Sequence, residues 1–537
     1  MEPVTRRPID PDGLSMDGIR NGALRGRAVA VLGFARSGIA LARFLVDEGA
    51  DVTIYDGRPV GELAAAIDAL EGRRVRLLLG PDVDPADAWR DAELVTSSPS
   101  INPDFPTTEP RLRAALGELV ARRRGGDPSA PAVIWEPDLF LRLCPSPTIG
   151  ITGTKGKTTT SALIQAVLAA DPAHPAILGG NMGRPIVERL PELGPDDRVV
   201  FELSELQLPT LSRGTTVAVY TNVTADHLDR HGSLEAYRHV KRRLAELVDP
   251  SGALVLNADD PVVATYEGLG GVRSVTYRLD EPATGGLGVI DGWIVASAVA
   301  PLPGARGESM AAGGSAATAA AGSAATGEPV RILPIAELAI PGRHNVSNAL
   351  AAVAVGLLFG VQPAAIRRAV STFTGVEHRL ETVDVIDGIR YVNDSQGTKP
   401  DAVTAALRAF DGPIVLIAGG RDKGVDLSDL ARVVAERAAA AVLIGESSAD
   451  MERLFAHAGL RTIELAPTLE VAVRRARELA REAVDAAGER EARASAGPAA
   501  TVLLSPAAAS FDMFPDYEAR GRAFKAAVAA LPGQRGR

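Results

Sequence analysis

The chain has 537 residues, a formal net charge of −10, 46% apolar residues and a single cysteine, Cys144. That length fits about three domains. The charge argues against a nucleic-acid or anionic-membrane partner, and one cysteine excludes an intramolecular disulfide and fits a reducing compartment. No apolar run reaches bilayer-spanning length, and the N-terminus lacks the apolar segment of a signal peptide. A cytoplasmic protein is expected.

Residues 1–25 are polar, with Pro and Gly, and are expected to form a flexible tail. Residues 27–32 (RAVAVL) read as a short buried strand. The turn GFARSG at 33–38, a helix through Phe44 to Val46, and a strand at 51–55 ending on Asp56 follow. This is a βαβ unit with a Gly-x-Ala-x-x-Gly turn and an acid 18 residues past the last glycine. It is a degenerate dinucleotide fingerprint, whose small residues let the backbone approach a phosphate at a helix N-terminus. A plain strand–helix turn explains it about as well. SSPSINP, at 97–103, reads as a loop at a strand end.

A second α/β unit starts near Pro147, with strands expected at 148–151, 199–203, 217–220 and 253–257 alternating with helices. The Ala/Gly/Ser-rich stretch within about 303–328 has nothing large to bury and reads as a disordered surface insertion. Helices follow at 345–359 and 363–373. A third unit begins near Val376, with strands at 383–386, 390–393, 414–418, 441–444 and 501–504; residues 481–499 read as a helix end plus loop. The expected domains are 26–145, 146–375 and 376–531, with a short tail at 532–537.

The motifs fall at strand ends, where parallel sheets gather ligands. GITGTKGKTTT, at 150–160, joins a strand to a helix and suits a polyphosphate cradle, with Lys157 reaching phosphate oxygens and Thr158 binding Mg²⁺. The common phosphate-loop spacing needs glycine at 151. Here Ile151 stands there and Gly150 comes one residue early. Glu202 ends the next strand, where a carboxylate suits a hard cation, although a solvated charge is the simpler reading. Asp226, His227 and Asp229 crowd the loop TNVTADHLDRHG. A helix opening at Ser233 carries Tyr237 and Lys241 one turn apart. Lys241 belongs to a Lys-Arg-Arg run that by itself reads as a solvated basic face. In the third unit, EHRLE, VNDSQGTKPDA, IAGGRDKGVDLS and LLSPAAASFDMFPDYEARG put cations and hydroxyls into loops suited to phosphate or carboxylate.

Together these stretches resemble the Mur ligase family, from about residue 27 to 531. The loop G-T-x-G-K-T-T is matched at 153–159, the ELSSFQL-type strand end by ELSELQL at 202–208, NVTxDHxDR at 222–230 and HNxxNxxAA at 344–352. NDSQGT, at 393–398, is similar to the NDSKAT of the branch that adds D-glutamate, with Gln396 in place of Lys. The resemblance implies an α/β fold in three domains: Rossmann-like, central P-loop ATPase-type with a parallel or mixed sheet, and a second Rossmann-like domain. It implies ATP held by Gly153, Thr154, Lys155, Gly156, Lys157, Thr158 and Thr159, with Asn345 and Asn348 at adenine and Arg379 and Asp394 reaching the nucleotide. Two Mg²⁺ sites are implied at Thr158, Glu202, His227 and Lys241, the last as a carbamate formed from CO₂. Lys157, His227, Lys241 and Arg379 are the implied catalytic set. The N-terminal turn becomes a UDP site, with Phe34, Ala35, Arg36, Ser37, Asp56, Arg58 and Ser98 as contacts and Asn181 at the muramyl group. Thr398, Lys423, Ser510 and Tyr517 match glutamate positions.

The implied reaction joins D-glutamate to UDP-N-acetylmuramoyl-L-alanine through an acyl phosphate, in a monomer with small-molecule partners only. A relative using another amino acid or acceptor would keep the nucleotide motifs and differ at Thr398, Lys423 and Ser510. An NAD-dependent oxidoreductase leaves the phosphate loop, Glu202 and His227 unexplained. A regulatory ATPase would hydrolyse nucleotide with no carboxylate substrate.

Overall fold

A computed structural model describes residues 7–180, 185–226, 228–303, 329–340, 342–422, 424–487 and 498–535. It divides into two compact units, with the break after Phe373.

In the first unit, β1 (Ala28–Leu32), β2 (Asp51–Asp56), β3 (Arg76–Leu79), β4 (Leu94–Ser97) and β5 (Ala132–Trp135) form a parallel sheet in the order 3-2-1-4-5. The order reverses direction between β1 and β4, which places a crevice at their carboxyl ends. Buried Leu41, Phe44 and Leu45 give the helix Arg36–Asp47 the apolar stripe that covers the sheet.

Residues 7–25 correct the expectation of a flexible tail. Ile9, Leu14, Met16, Ile19 and Leu24 are buried in the same core as Val29 and Leu41. Ser15 caps the helix Met16–Arg20 by accepting from Gly18 N at 3.1 Å. Arg20 donates to Pro191 O at 3.2 Å. Five apolar side chains spread over a polar segment are enough to dock it.

The second sheet of this unit contains β6 (Thr148–Thr152), β7 (Ala176–Gly180), β8 (Arg198–Glu202), β9 (Val217–Tyr220), β10 (Ala253–Asn257), β11 (Arg273–Tyr277), β12 (Leu287–Ile290), β13 (Trp293–Ala296) and β14 (Val330–Pro334). Their order is 14-13-12-11-10-9-6-8-7, antiparallel only from β12 to β14. The β12–β13 hairpin turns on Asp291-Gly292, with φ of 48° and 75°, the left-handed pair of a two-residue turn. Helix Arg343–Leu358, almost all Ala, Val and Leu along its buried positions, packs against helix Lys157–Leu168. The expected insertion lies mostly outside the described residues.

The second unit is one sheet of β15 (Glu381–Ile386), β16 (Ile389–Asn393), β17 (Ile414–Gly419), β18 (Ala438–Ile444), β19 (Ile463–Leu465) and β20 (Ala500–Leu504). The order is 15-16-20-17-18-19, parallel except for the β15–β16 hairpin.

Candidate active site

β6 runs as five buried residues and stops at Thr152. Gly153 follows with φ +151°, and a Cβ there would lie 2.0 Å from Thr221 Oγ1, so the turn admits only glycine. Gly156, with φ +85°, is the N-cap of helix Lys157–Leu168 and gives it no side-chain cap. The first-turn amides are thus left to an external acceptor, and phosphate oxygens suit them. Gly150 is no part of this cradle. Inside β6, a Cβ on it would lie 2.8 Å from Thr215 Oγ1 and 3.2 Å from Leu244 Cδ2. The early glycine therefore serves strand–helix packing.

Lys157 Nζ curls over the loop, donating to Gly153 O and Thr154 O at 2.9 Å each. Asn222, past β9, holds the loop from the side: it accepts from Thr154 N at 2.8 Å through its carbonyl and from Lys155 N at 2.9 Å through Oδ1. Thr158 is buried and Thr159 half-buried in the first helical turn. Asn348, also buried, accepts from Thr160 Oγ1 and donates to Asn345 Oδ1, both at 3.1 Å. Asn345 and Asn348 are therefore brought to the phosphate loop.

Glu202 ends β8 in register with Ile151 and is 2% exposed. Lys241 is 0% exposed, which overturns the reading of its Lys-Arg-Arg run as a solvated face; only its neighbour Arg242 is exposed, paired with Glu246 at 2.8 Å. Lys241 Nζ donates to Thr152 Oγ1 at 3.2 Å and lies 5.4 Å from the ring centroid of Tyr237. The Tyr237 hydroxyl stands 3.0 Å from Thr154 Oγ1 and so ties this helix to the loop. Burial, reinforced by the Lys157 charge, pulls Lys241 down to about 7, against Glu205, Asp226 and Glu202. His227 lies outside the described residues.

At the edge of the first sheet, the expected UDP contacts divide. Phe34 is 1% exposed, and its ring belongs to the core. Only its backbone is placed at the turn. Asp56 is already engaged: it accepts from Phe34 N at 2.8 Å, from Arg58 N and Nε at 3.0 Å and from Arg58 Nη2 at 2.8 Å. It braces the turn that carries exposed Ala35 and Arg36 and half-buried Ser37. Ser98 follows β4, with its Oγ 3.0 Å from Ser100 Oγ. Asn181 lies outside the described residues.

In the second unit, Arg379 is exposed, and buried Asp394 accepts from Leu380 N at 3.2 Å and Ser505 Oγ at 2.6 Å. Burial pushes Asp394 up to about 6, with Ser505, Leu380 and Arg379 opposing. Half-buried Thr398 ends the same loop. Arg421 and Ala509 pair backbone to backbone, so the glycine-rich loop after β17 runs beside buried Ser510. Tyr517 opens the helix Tyr517–Ala529, and its carbonyl accepts from Ser395 Oγ at 2.8 Å. Lys423 lies outside the described residues.

Residues 151–356 match the Mur ligase middle domain and residues 378–507 the Mur ligase, glutamate ligase domain. A protein of Pelotomaculum thermopropionicum named UDP-N-acetylmuramoylalanine--D-glutamate ligase is 36% identical, over 94% of this chain and 98% of its own. The protein of the same name from Roseiflexus sp. is 37% identical over 94% and 99%. The chain belongs to the Mur ligase family. A solved UDP-N-acetylmuramate-alanine ligase of Thermotoga maritima aligns over 94% of this chain and 99% of its own, at 18% identity and a TM-score of 0.48.

As a Mur ligase, the protein is an ATP-dependent amide ligase of peptidoglycan precursor synthesis. The two glycine turns and the uncapped helix fit its nucleotide. No described helix is long and apolar enough to cross a membrane.

One residue that organises the second unit was not singled out from the sequence of this Mur ligase. Arg520 is 1% exposed and donates through Nε to Ser395 Oγ at 3.0 Å, through Nη2 to Ser395 O at 3.0 Å and through Nη1 to Ala508 O at 3.3 Å. It joins the loop of Asp394 and Thr398 to the loop of Ser510. An Arg inside an otherwise exposed-looking helix start gives no periodic signal, so only the contacts reveal it. Arg520→Ala leaves two buried carbonyls without these donors. It is expected to cost the second unit about 3 kcal/mol, measured by urea unfolding, and Arg520→Lys is expected to recover only part of this.

Proposed function

We propose that the chain adds D-glutamate to UDP-N-acetylmuramoyl-L-alanine in an ATP-dependent step through an acyl phosphate. The observation that carries this reading is identity of 36–37% along 94% of the chain to ligases bearing that name. Support comes from the NDSQGT stretch and from Ser510 beside the loop of Arg421.

In this mechanism an oxygen of the L-alanyl carboxylate attacks the γ-phosphorus of ATP and ADP leaves. The D-glutamate amine then attacks the acyl carbon, phosphate departs, and the amine's proton is lost as the amide forms. Phosphoryl transfer of this kind depends mainly on positioning and charge neutralisation. The 153–159 loop orients the polyphosphate, and Lys157 would turn its ammonium from Gly153 O and Thr154 O to the phosphate oxygens. Arg379 and Asp394 would meet the nucleotide. Thr398, Lys423, Ser510 and Tyr517 would orient glutamate, and the edge of the first sheet would hold the UDP group.

Two Mg²⁺ ions would be held by Thr158, Glu202, His227 and a carbamate on Lys241, and would supply charge neutralisation on the phosphoryl oxygens. The buried carboxylate of Glu202 and the hydroxyl of Thr158 are hard oxygen donors that suit the ion. Lys241, buried and brought down to about 7, offers near pH 7 a large share of the free amine that CO₂ requires.

Phosphate release tests the reading: UDP-N-acetylmuramoyl-L-alanine, ATP and Mg²⁺ are combined with one amino acid at a time. D-Glutamate is expected to drive release and L-glutamate is not. Release driven by a different amino acid overturns the specificity, and release that ignores both substrates points to a plain ATPase.

A further inference from the structure

Glu136 follows β5 at the first position of helix Glu136–Leu143 and is 5% exposed. The ends of β1, β4 and β5 are in register, Leu32 beside Ser97 and Ser97 beside Trp135. The residues that step off the sheet next to one another are therefore Gly33, Ser98 and Glu136. Trp135 Nε1 donates to Ile101 O at 2.7 Å and anchors the loop between them.

The other buried acids around this sheet are engaged. Glu93 accepts from Arg27 Nε at 2.7 Å and Ala28 N at 3.0 Å. Asp138, two residues after Glu136, accepts from Ser212 N at 2.6 Å, Arg213 N at 3.1 Å and Arg142 Nε at 3.0 Å. Asp56 is filled by Phe34 and Arg58, as described above. Among the described residues, Glu136 receives no hydrogen bond and forms no ion pair. Burial pushes its carboxyl up to about 7, and the one charge that opposes this is Arg36. Arg36 opens the helix that follows β1, the second strand over from β5 in the sheet. The helix that carries Arg36 follows Gly33 at the switch point of the sheet, where β1 and β4 end side by side. There the helix Arg36–Asp47 also begins without a side-chain cap.

Glu136 is largely buried and its carboxyl receives no donor from the described residues, which leaves it open to an external one. Asp56, the acid that the fingerprint would offer to a ribose, has no acceptor capacity to spare. We infer that Glu136 is a specificity-determining residue of the sugar-nucleotide site, where its carboxyl accepts a hydrogen bond from an N–H or O–H of the UDP-linked substrate. This rests on the reading that the crevice holds that substrate.

The test compares wild type, Glu136→Gln and Glu136→Ala. For Glu136→Ala the KM of UDP-N-acetylmuramoyl-L-alanine is expected to rise roughly tenfold or more, the loss of a charge-assisted hydrogen bond. The KM values of ATP and glutamate stay within about twofold, and Glu136→Gln falls between. The ligand-free melting midpoint of Glu136→Gln is expected to equal or exceed that of wild type, because the substitution removes a buried charge. A purely structural role predicts the reverse: a lower midpoint, with all three KM values rising together. That pattern, or an unchanged sugar-nucleotide KM, overturns the inference. Calorimetric titration of wild type with the sugar nucleotide separates the two levels: binding that persists undiminished in Glu136→Ala sinks this assignment alone, whereas no binding to wild type sinks the proposed function with it.

Discussion

Lys241→Met is expected to lower turnover by on the order of 10³ while making the ligand-free protein more heat-stable near pH 7. The two effects have one cause. Lys241 Nζ sits in a wholly buried position with the Thr152 hydroxyl as its hydrogen-bond partner, and burial and the Lys157 charge bring it down to about 7. An unperturbed lysine titrates near 10.4, so at neutral pH Lys241 holds roughly a thousandfold more free amine. Free amine is what adds CO₂, which turns a buried cation into a group able to face a metal ion.

The stability effect has a definite sign. Between about pH 7 and 10.4, the unfolded chain binds a proton that the folded chain lacks. Stability therefore falls as pH drops through that window. Below about 7 the folded chain carries the buried charge itself. Methionine keeps most of the side-chain volume and removes this penalty. Melting in CO₂-free, metal-free buffer is expected to show the variant ahead at pH 7 and level with wild type above pH 10. A carbamate signal from ¹³C-labelled CO₂ should be present in wild type and absent in the variant. Wild-type turnover in Lys241→Met would end the carbamate role.

The carboxyl edges of the sheets were legible because each motif follows a buried apolar run. Residues 148–151, 199–203 and 217–220 read directly as strands; the phosphate cradle follows the first, Glu202 ends the second in the structure and Asn222 follows the third. What escaped has a physical reason in each case. β7 ends in two glycines and exposes part of its face, so it lacks a strand's composition. The β12–β13 hairpin announces itself by Asp291-Gly292 between short apolar runs, a signal that was there to use. The N-terminal segment docks through isolated apolar residues that no period links. In the sequence Lys241 has a role only through the family resemblance and Arg520 has none, since a lysine in a Lys-Arg-Arg run and an arginine in a polar helix take their roles from burial, which only tertiary packing sets. Glu136 was invisible for the same reason. The off-register Gly150 reads in the sequence as a clue to the type of phosphate loop, and in the structure as a contact with Thr215 and Leu244.

Lys157→Met tests how far loop and lysine act together. Its direct effect is loss of the ammonium that would face the phosphoryl oxygens, expected to cost roughly 10²–10³ in kcat with little change in fold, because the loop is also held by Asn222 through two backbone amides. There is an indirect effect too. The Lys157 charge is the second cause that keeps Lys241 low, so its removal raises the Lys241 pKa and reduces the free amine at pH 7. The variant is therefore expected to show a weaker ¹³C carbamate signal at pH 7, restored by raising the pH by about one unit, whereas its phosphoryl-transfer defect persists at every pH. Combining Lys157→Met with Lys241→Met is expected to cost less than the product of the single losses, since part of the Lys157 effect already acts through Lys241. Losses that multiply fully, with a carbamate signal indifferent to Lys157, would show that the two lysines act independently and that the depressed Lys241 owes everything to burial.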